Sequence, residues 1–287
     1  VGILAYAFGS GNSGQVSIAR LVAMRIAIAL SGGGAAGIGH VPVLEVVDEL
    51  GLRPVEIAGT SMGALIGAGY AAGMTGIDIR EWILGVAANP GRVLRRFLAS
   101  NPARLPGVPG AFNSHDAIEI ALPPTVPERF DMLHIPFTAV ATDFHARETV
   151  FLRDGLLKPA LAASIAIPGV FRPTLLAGRV LVDGGVTSNL PLDALADADV
   201  TLAVDVASME ALDSVDVPGP METAVGAMRI MMRRMLQQQL SDRPGALLIE
   251  PRTSAFQSMD YHKAAEILEV ATANRDNVKR ALDRVLS

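Results

Sequence analysis

The sequence predicts an α/β domain built on a mostly parallel, helix-covered sheet. Three observations carry that expectation. The first is the opening order of strand, Gly-rich loop, helix, strand, sharp turn and helix across residues 25–72, the rhythm of parallel strands joined by crossover helices. The second is composition. Half of the 287 residues are apolar and 18% are charged, enough to bury a sizeable core within one large domain. The third is a pair of glycine clusters, one after each of the first two strands.

The elements follow in order. Arg25–Leu30 mixes small and branched apolar residues as a buried strand does. Ser31–Gly39 is Gly-rich, and His40–Leu50 has helical spacing (Val43, Leu44, Val47, Leu50) that Gly51 ends as a C-cap. Val55-Glu56-Ile57-Ala58 reads as the second strand, and Ala64–Ala72 as a helix of small residues. Ile77–Ala99 has helical character with a break at Pro90-Gly91. The Pro- and Gly-rich Asn101–Gly110 stretch reads as a loop, and Ser114–Leu122 as a short helix capped by Asn113 or Ser114. Phe137–Thr142 is expected as a strand, with Thr149–Leu152 as its partner. Lys158–Ile167 is expected as a helix ended by Pro168. The strand Val180–Val182 leads into Asp183-Gly184-Gly185, and Leu190–Leu195 reads as a short helix. Val200–Val206 and Ala246–Ile249 read as late strands, and Met221–Leu240 and Tyr261–Leu286 as long helices.

Residues 1–23 read either as an N-terminal extension or as a remnant foreign to the domain, and 24–287 as a single domain. Val1–Phe8 is apolar but short, with no basic residue before it, and so makes a poor signal peptide. No apolar run is long enough to cross a bilayer. These features, with the absence of cysteine, fit a cytoplasmic protein. The net charge of −5 argues against nucleic acid as a partner, since such domains carry a basic excess. The five histidines show no metal-ligand spacing. No metal or other cofactor is implied, and the oligomeric state is left open.

The chemistry concentrates at three segments. Gly59-Thr60-Ser61-Met62-Gly63 has the form of a nucleophile elbow, whose glycines let strand and helix pack closely while the serine projects outward. A serine hydroxyl is a weak nucleophile and needs a base and donors for the oxyanion. Backbone N–H groups of Gly32, Gly33 and Gly34, together with Met62 N–H directly after the serine, are the expected donors. A dinucleotide fingerprint, Gly32-x-Gly34-x-x-Gly37, competes for the same loop. It wants an acid at the end of the second strand, where the chain has Gly59-Thr60-Ser61; Glu56 lies near that strand's start. For the base, the order Ser61…Asp183…His262 admits a histidine triad. His262, however, sits in an ordinary polar helix start, and the nucleophile comes after only the second strand. Asp183 is the stronger candidate, although Asp-Gly-Gly taken alone also reads as a turn.

These segments together resemble the patatin-like phospholipases. Gly32-Gly33-Gly34-Ala35-Ala36-Gly37, Gly59-Thr60-Ser61-Met62-Gly63 and Asp183-Gly184-Gly185 look like three signature blocks of that family. Ala163-Ser164-Ile165-Ala166-Ile167-Pro168-Gly169-Val170-Phe171-Arg172-Pro173 resembles a further block of its bacterial members, Asp183–Pro191 continues as D-G-G-x-x-x-N-x-P, and Ile249-Glu250-Pro251 resembles a later strand end. The resemblance implies a three-layer α/β/α sandwich with a mostly parallel central sheet. It also implies a Ser–Asp dyad, Ser61 as nucleophile and Asp183 as base, that hydrolyses acyl esters of lipids. The expected partner is a lipid or other acyl ester substrate, met in transient contact with a membrane surface. A thioesterase or acyltransferase using the same dyad, and a catalytically quiet lipid-binding protein, are the alternatives. Many relatives carry Arg or Lys where this chain has Ala36, which leaves open how the Gly-rich loop is steadied. Two stretches are candidate walls of an acyl slot. One is 74–112, with Trp82, Leu84, Val93, Leu94, Phe97 and Leu98, where Arg92, Arg95 and Arg96 read as a headgroup contact or, more often for such a charge run, as a solvated helix face. The other is the methionine-rich helix 221–240, although an apolar stripe more often simply packs.

Overall fold

The computed structural model of the protein describes residues 24–89, 112–207, 217 and 219–286. The expected loop 101–110, the N-terminal 1–23 segment, Arg92, Val93, Leu94, Arg95, Arg96, Phe97 and Leu98 lie outside them. Strands are β1 (Ile26–Leu30), β2 (Pro54–Thr60), β3 (Phe137–Asp143), β4 (Glu148–Leu152), β5 (Thr174–Leu176), β6 (Arg179–Asp183), β7 (Val200–Val204) and β8 (Ala246–Ile249). Helices are α1 (His40–Glu49), α2 (Met62–Ala71), α3 (Gly76–Ala87), α4 (Ser114–Ala121), α5 (Leu157–Ser164), α6 (Pro220–Asp242), α7 (Ala264–Thr272) and α8 (Arg275–Leu286).

Among the described residues one sheet runs β5-β6-β3-β2-β1-β7-β8, with β4 also on β3. The β3-β2-β1-β7-β8 run is parallel throughout. β1 shows how the layers arise. Ile26, Ile28 and Leu30 enter one core with α1, α2, α5, α7 and α8. Ala27 and Ala29 face the other side, against Leu190, Leu192, Leu195 and Leu236 of the 190–195 segment and α6. Period-two alternation on a strand buried on both faces gives three layers, α/β/α. Burying each large side chain of this kind contributes roughly 2 kcal/mol.

The pairing of β3 places the site. Along Ala139–Asp143 one edge of β3 is occupied by β4. Its other edge carries β2 as far as Thr60, opposite Val140, and then β6, whose Asp183 lies opposite Ala141. β2 is parallel to β3 and β6 antiparallel, so their C-terminal ends meet head to head.

Several boundaries differ from the sequence expectation. The α5 helix stops at Ser164 rather than at residue 167, because the Ala166 carbonyl turns to accept the Asp183 N–H (3.0 Å). The 190–195 helix is only a 3-10 turn, Leu192–Ala194, following Pro191. The 261–286 helix is three pieces: a 3-10 turn Tyr261–Lys263, then α7, then α8. The second break falls at Asn274, whose Nδ2 donates to the Glu250 carbonyl (3.0 Å), a tertiary bond that competes with continued helix. β5 was not expected. Asn113 caps α4, its side chain accepting from His115 N–H (3.0 Å). No helix among the described residues is long and apolar enough to cross a membrane.

On the outer layer, Glu45 of α1 is nearly buried yet charged. Arg80 of α3 binds it through two bonds (2.5 and 2.9 Å) and Arg275 of α8 through a third (3.0 Å). Removing a buried charge takes a main partner from both cations; their partial exposure, and the bonds Arg275 keeps to Glu49 and Arg80 to Thr272, soften the cost. Glu45→Ala is expected to lower unfolding stability by about 2–3 kcal/mol. Lys279→Ala, which removes only one partner of the exposed Glu49, is expected to cost less than about 1 kcal/mol. Urea denaturation of both variants checks the difference.

Candidate active site

Ser61 stands between β2 and α2 with φ 54° and ψ −121°, a left-handed conformation unusual for a residue with a Cβ. Neighbouring glycines make the turn possible. A Cβ at Gly59 would lie 2.5 Å from the Gly63 carbonyl oxygen, and one at Gly63 would strike the backbone of Leu30. The Ser61 side chain does not cap α2, as a serine at that position ordinarily would. Its hydroxyl is thus left for other chemistry.

Asp183 ends β6 and is buried. Its Oδ1 accepts the Gly185 N–H (2.7 Å), while Oδ2 is buried without a hydrogen-bond partner. Burial pushes the carboxyl up to about 6. The Ser61 hydroxyl, and after it the Gly185 N–H, pull the other way. The Ser61 hydroxyl thus acts on the carboxyl, but the contact is looser than a formed hydrogen bond. Such pairs commonly tighten only as the reaction proceeds. Gly184 is required here because a Cβ would drive into the Val140 carbonyl.

The Gly-rich loop follows β1 and enters a 3-10 turn, Gly34–Gly39, before α1. The Gly32 N–H is occupied, donating to the Asn189 carbonyl (3.0 Å). This corrects the expected donor set. Gly32 instead abuts the serine, its added Cβ falling 3.2 Å from Ser61 Cβ. The N–H groups of Gly33, Gly34 and Met62 form no hydrogen bond among the described residues outside their own helical turns; Met62 directly follows the serine, and Gly33 and Gly34 directly follow Gly32 in the loop. Gly34 has φ 56° and presses on Ser258, which is why glycine is needed there.

Among the described residues, the loop is held by neutral contacts. Ala36 is 3% exposed, and its carbonyl accepts the Thr253 hydroxyl (3.0 Å). Ala35 N–H donates to the Ser258 carbonyl (2.9 Å). The Ser31 hydroxyl accepts the Val206 N–H (3.0 Å). His40 Nε2 meets the Ser31 carbonyl (2.8 Å), which makes it the protonated nitrogen of a neutral ring. Burial drives the His40 pKa down to about 4, so it stays neutral and serves the loop.

His262 is exposed next to Asp260, and none of the five histidines hydrogen-bonds Ser61 or Asp183. The sequence reading missed Tyr261. Burial, and then the Asp183 carboxylate, push its phenol up to about 12. It keeps 39% of its surface exposed, so it lies at the mouth of the site. Asp205 was also missed. It is buried beyond β7, raised chiefly by burial, and 3.6 Å from Arg233, which also binds Glu250 (2.9 Å).

The two candidate walls turn out unlike. Trp82 is tied by its indole N–H to the Ala121 carbonyl (2.8 Å), and Leu84 packs on the main core, so the described part of the first is ordinary packing. In α6, Leu236 packs on the sheet, Met231 is exposed, and Met232 Cε reaches within 2.9 Å of where a Gly185 Cβ would stand. The side chains of Met221, Ala224 and Val225 lie outside the described residues.

A family model described as Patatin-like phospholipase matches residues 28–196. An uncharacterized NTE family protein of Mycobacterium tuberculosis is 39% identical over 189 residues, covering 65% of this chain and 50% of that protein. Patatin-like phospholipase domain-containing protein 6 of Mus musculus is 32% identical over 199 residues, covering 66% of this chain and 14% of that protein. The chain thus matches about half the length of these mycobacterial relatives and about a third of others. Among solved structures, VipD from Legionella pneumophila aligns over 90% of this chain and 67% of its own, with a TM-score of 0.46 and 12% identity.

Two stability effects follow from this geometry. Glycine at the elbow relieves the positive φ, whereas alanine retains it. Ser61→Gly is therefore expected to be about 1 kcal/mol more stable than Ser61→Ala, with their urea midpoints as the check. The Asp183 carboxyl is raised on folding from 3.8 to about 6, so the folded state holds the proton more tightly than the unfolded one. Stability from this group is gained as pH falls through 6, and the ionised form costs about 3 kcal/mol above it, at about 1.4 kcal/mol per unit. Asp183→Asn is expected to be more stable than the parent at pH 8, by up to that amount, with the advantage shrinking toward pH 4. Thermal denaturation across that range checks it.

Proposed function

Since this chain belongs to the patatin-like phospholipase family, we propose that it is a serine acyl hydrolase that cleaves carboxylic ester bonds of lipids through Ser61 and Asp183. The observation that carries the reading is the unpartnered, buried Asp183 Oδ2 beside a serine hydroxyl that the elbow leaves uncapped. A carboxyl raised to about 6 is ionised at neutral pH yet more basic than an ordinary aspartate, which suits it to accept a proton from serine.

Ser61 Oγ attacks the ester carbonyl, and its proton passes to Asp183 Oδ2. The carbonyl oxygen, now an anion, is held by the N–H groups of Gly33, Gly34 and Met62. Each such donor is worth about 3–4 kcal/mol in the transition state, and the N-terminal end of α2 adds a favourable field. The tetrahedral adduct collapses, and the alcohol leaves with the proton from Asp183. Water then attacks the acyl-Ser61 ester, giving its proton to Asp183, and the second adduct releases the fatty acid and restores Ser61.

The loop's neutral anchors support activity despite Ala36. Thr253, Ser258, Asn189 and His40 fix its backbone, so the donors do not depend on a cation at that position. Transient contact with a membrane surface is supported by Met259, 62% exposed, which adjoins the Ser258 clamp.

Turnover of p-nitrophenyl esters tests the reading. Ser61→Ala and Asp183→Asn are each expected to lower kcat by about a thousandfold or more. In the parent, kcat/KM is expected to fall below an apparent pKa of about 6, because protonated Asp183 cannot take the serine proton. Unchanged rates in both variants would overturn it. Preference for acyl-CoA over glycerolipid substrates would assign the same dyad to a thioesterase.

A further inference from the structure

We propose that the turn Ser164–Ala166 clamps both members of the dyad, and that Ser164 is a positioning residue setting the distance between the Ser61 hydroxyl and the Asp183 carboxylate. This rests on the Ser61–Asp183 reading and concerns a residue to which that chemistry assigns no role.

The two dyad residues come from different strands. β2 brings Ser61 and β6 brings Asp183, and the two strands do not pair with each other but meet end to end on one edge of their shared neighbour β3. The turn after α5 bonds to both directly. Ser61 N–H donates to Ser164 Oγ at 2.9 Å, and Asp183 N–H donates to the Ala166 carbonyl at 3.0 Å. Ser164 is fully buried. The turn itself is fixed by Ile165 N–H to the Leu161 carbonyl (3.0 Å) and Ala166 N–H to the Ala163 carbonyl (3.2 Å). A side-chain acceptor and a backbone acceptor two residues apart thus grip the nucleophile and the base.

The clamp matters because of what it opposes. Ser61 has a φ of 54°, and a residue with a Cβ relaxes from that conformation unless its surroundings hold it. The Ser61 N–H is buried, and without Ser164 Oγ it loses the hydrogen bond that fixes it. The Ser61–Asp183 contact is already looser than a full hydrogen bond, so a small outward drift of the elbow opens it further. A misplacement of about 1 Å at reacting groups costs on the order of a hundredfold in rate.

A purely structural role would lower stability without changing how Asp183 titrates, so the pH profile separates the two. The groups around Asp183 leave that profile readable. Ala141 on β3, Ala166 on the turn and Met232 beside Gly185 carry no charge. Tyr261, whose phenol burial pushes up to about 12, stays neutral across the acid range.

The experiment compares the parent, Ser164→Ala, Ser164→Cys and Ser164→Thr by p-nitrophenyl ester kinetics from pH 4 to 9, with melting temperature and fluorophosphonate labelling measured alongside. Ser164→Ala is expected to lose about a hundredfold in kcat with KM within about twofold. Its acid limb is expected to move to higher pH as the hydroxyl's hold on the Asp183 carboxylate weakens. Ser164→Thr, which keeps an oxygen at the same place, is expected to restore most of kcat and the parent limb. Ser164→Cys keeps the volume with a weaker acceptor and is expected to fall between them, which provides a folded comparison if alanine destabilises the protein. A folded Ser164→Ala or Ser164→Cys with parent kcat, or with reduced kcat but an unmoved acid limb, overturns the clamp. Failure of the dyad reading is distinguishable, since the parent itself would then not label at Ser61.

Discussion

One edge of β3 serves two strands, and the site depends on that sharing. β2 leaves the edge at Val140 and β6 takes it up at Ala141 from the opposite direction. Two chain ends that would otherwise stay apart are thereby brought level, one carrying Ser61 and the other Asp183. The geometry demands residues without side chains where backbones converge. Gly59 and Gly63 let α2 start against β1, and Gly184 lets β6 end against β3. The glycines of the motifs therefore serve packing as much as chemistry. A Cβ at any of the three would strike the backbone of a neighbouring element, α2 for Gly59, β1 for Gly63 and β3 for Gly184.

The Gly-rich loop obeys the same logic of convergence. It is fixed by neutral contacts from four distant parts of the chain: Asn189, Val206, Thr253 and Ser258. Individually such bonds contribute about 1 kcal/mol, but together they leave the loop backbone little freedom. That explains how the loop is steadied with Ala36, a residue without charge, inside it. The site is buried, the Ala36 carbonyl is engaged, and rigidity comes from hydrogen bonds at the loop's backbone and at Ser31.

Much of this was legible in the sequence. The strand order at the start, the elbow and the Asp-Gly-Gly turn are local patterns, and local sterics decide them. What stayed hidden depends on partners far along the chain. Gly32 looked like a donor equal to Gly33 and Gly34, but Asn189 takes its N–H. Ser164 sits in a run of small residues that reads as plain helix, and only the fold reveals that its hydroxyl meets Ser61. Asn274 breaks the last helix through a bond to Glu250 that no helix propensity encodes. In α6 the methionines drew notice, whereas Arg233, bound to Glu250 and close to Asp205, gave no signal that it was more than a solvated charge.

The central claim is that a buried aspartate, without a histidine, is the base for Ser61. Direct titration of the Asp183 carboxyl by NMR of carboxyl-labelled protein, with Asp183→Asn to assign the signal, tests it most closely. The account predicts a midpoint near 6, moving upward in Ser61→Ala as the hydroxyl's stabilisation is lost. A midpoint at the ordinary aspartate value near 3.8, unmoved by removing the Ser61 hydroxyl, would contradict it.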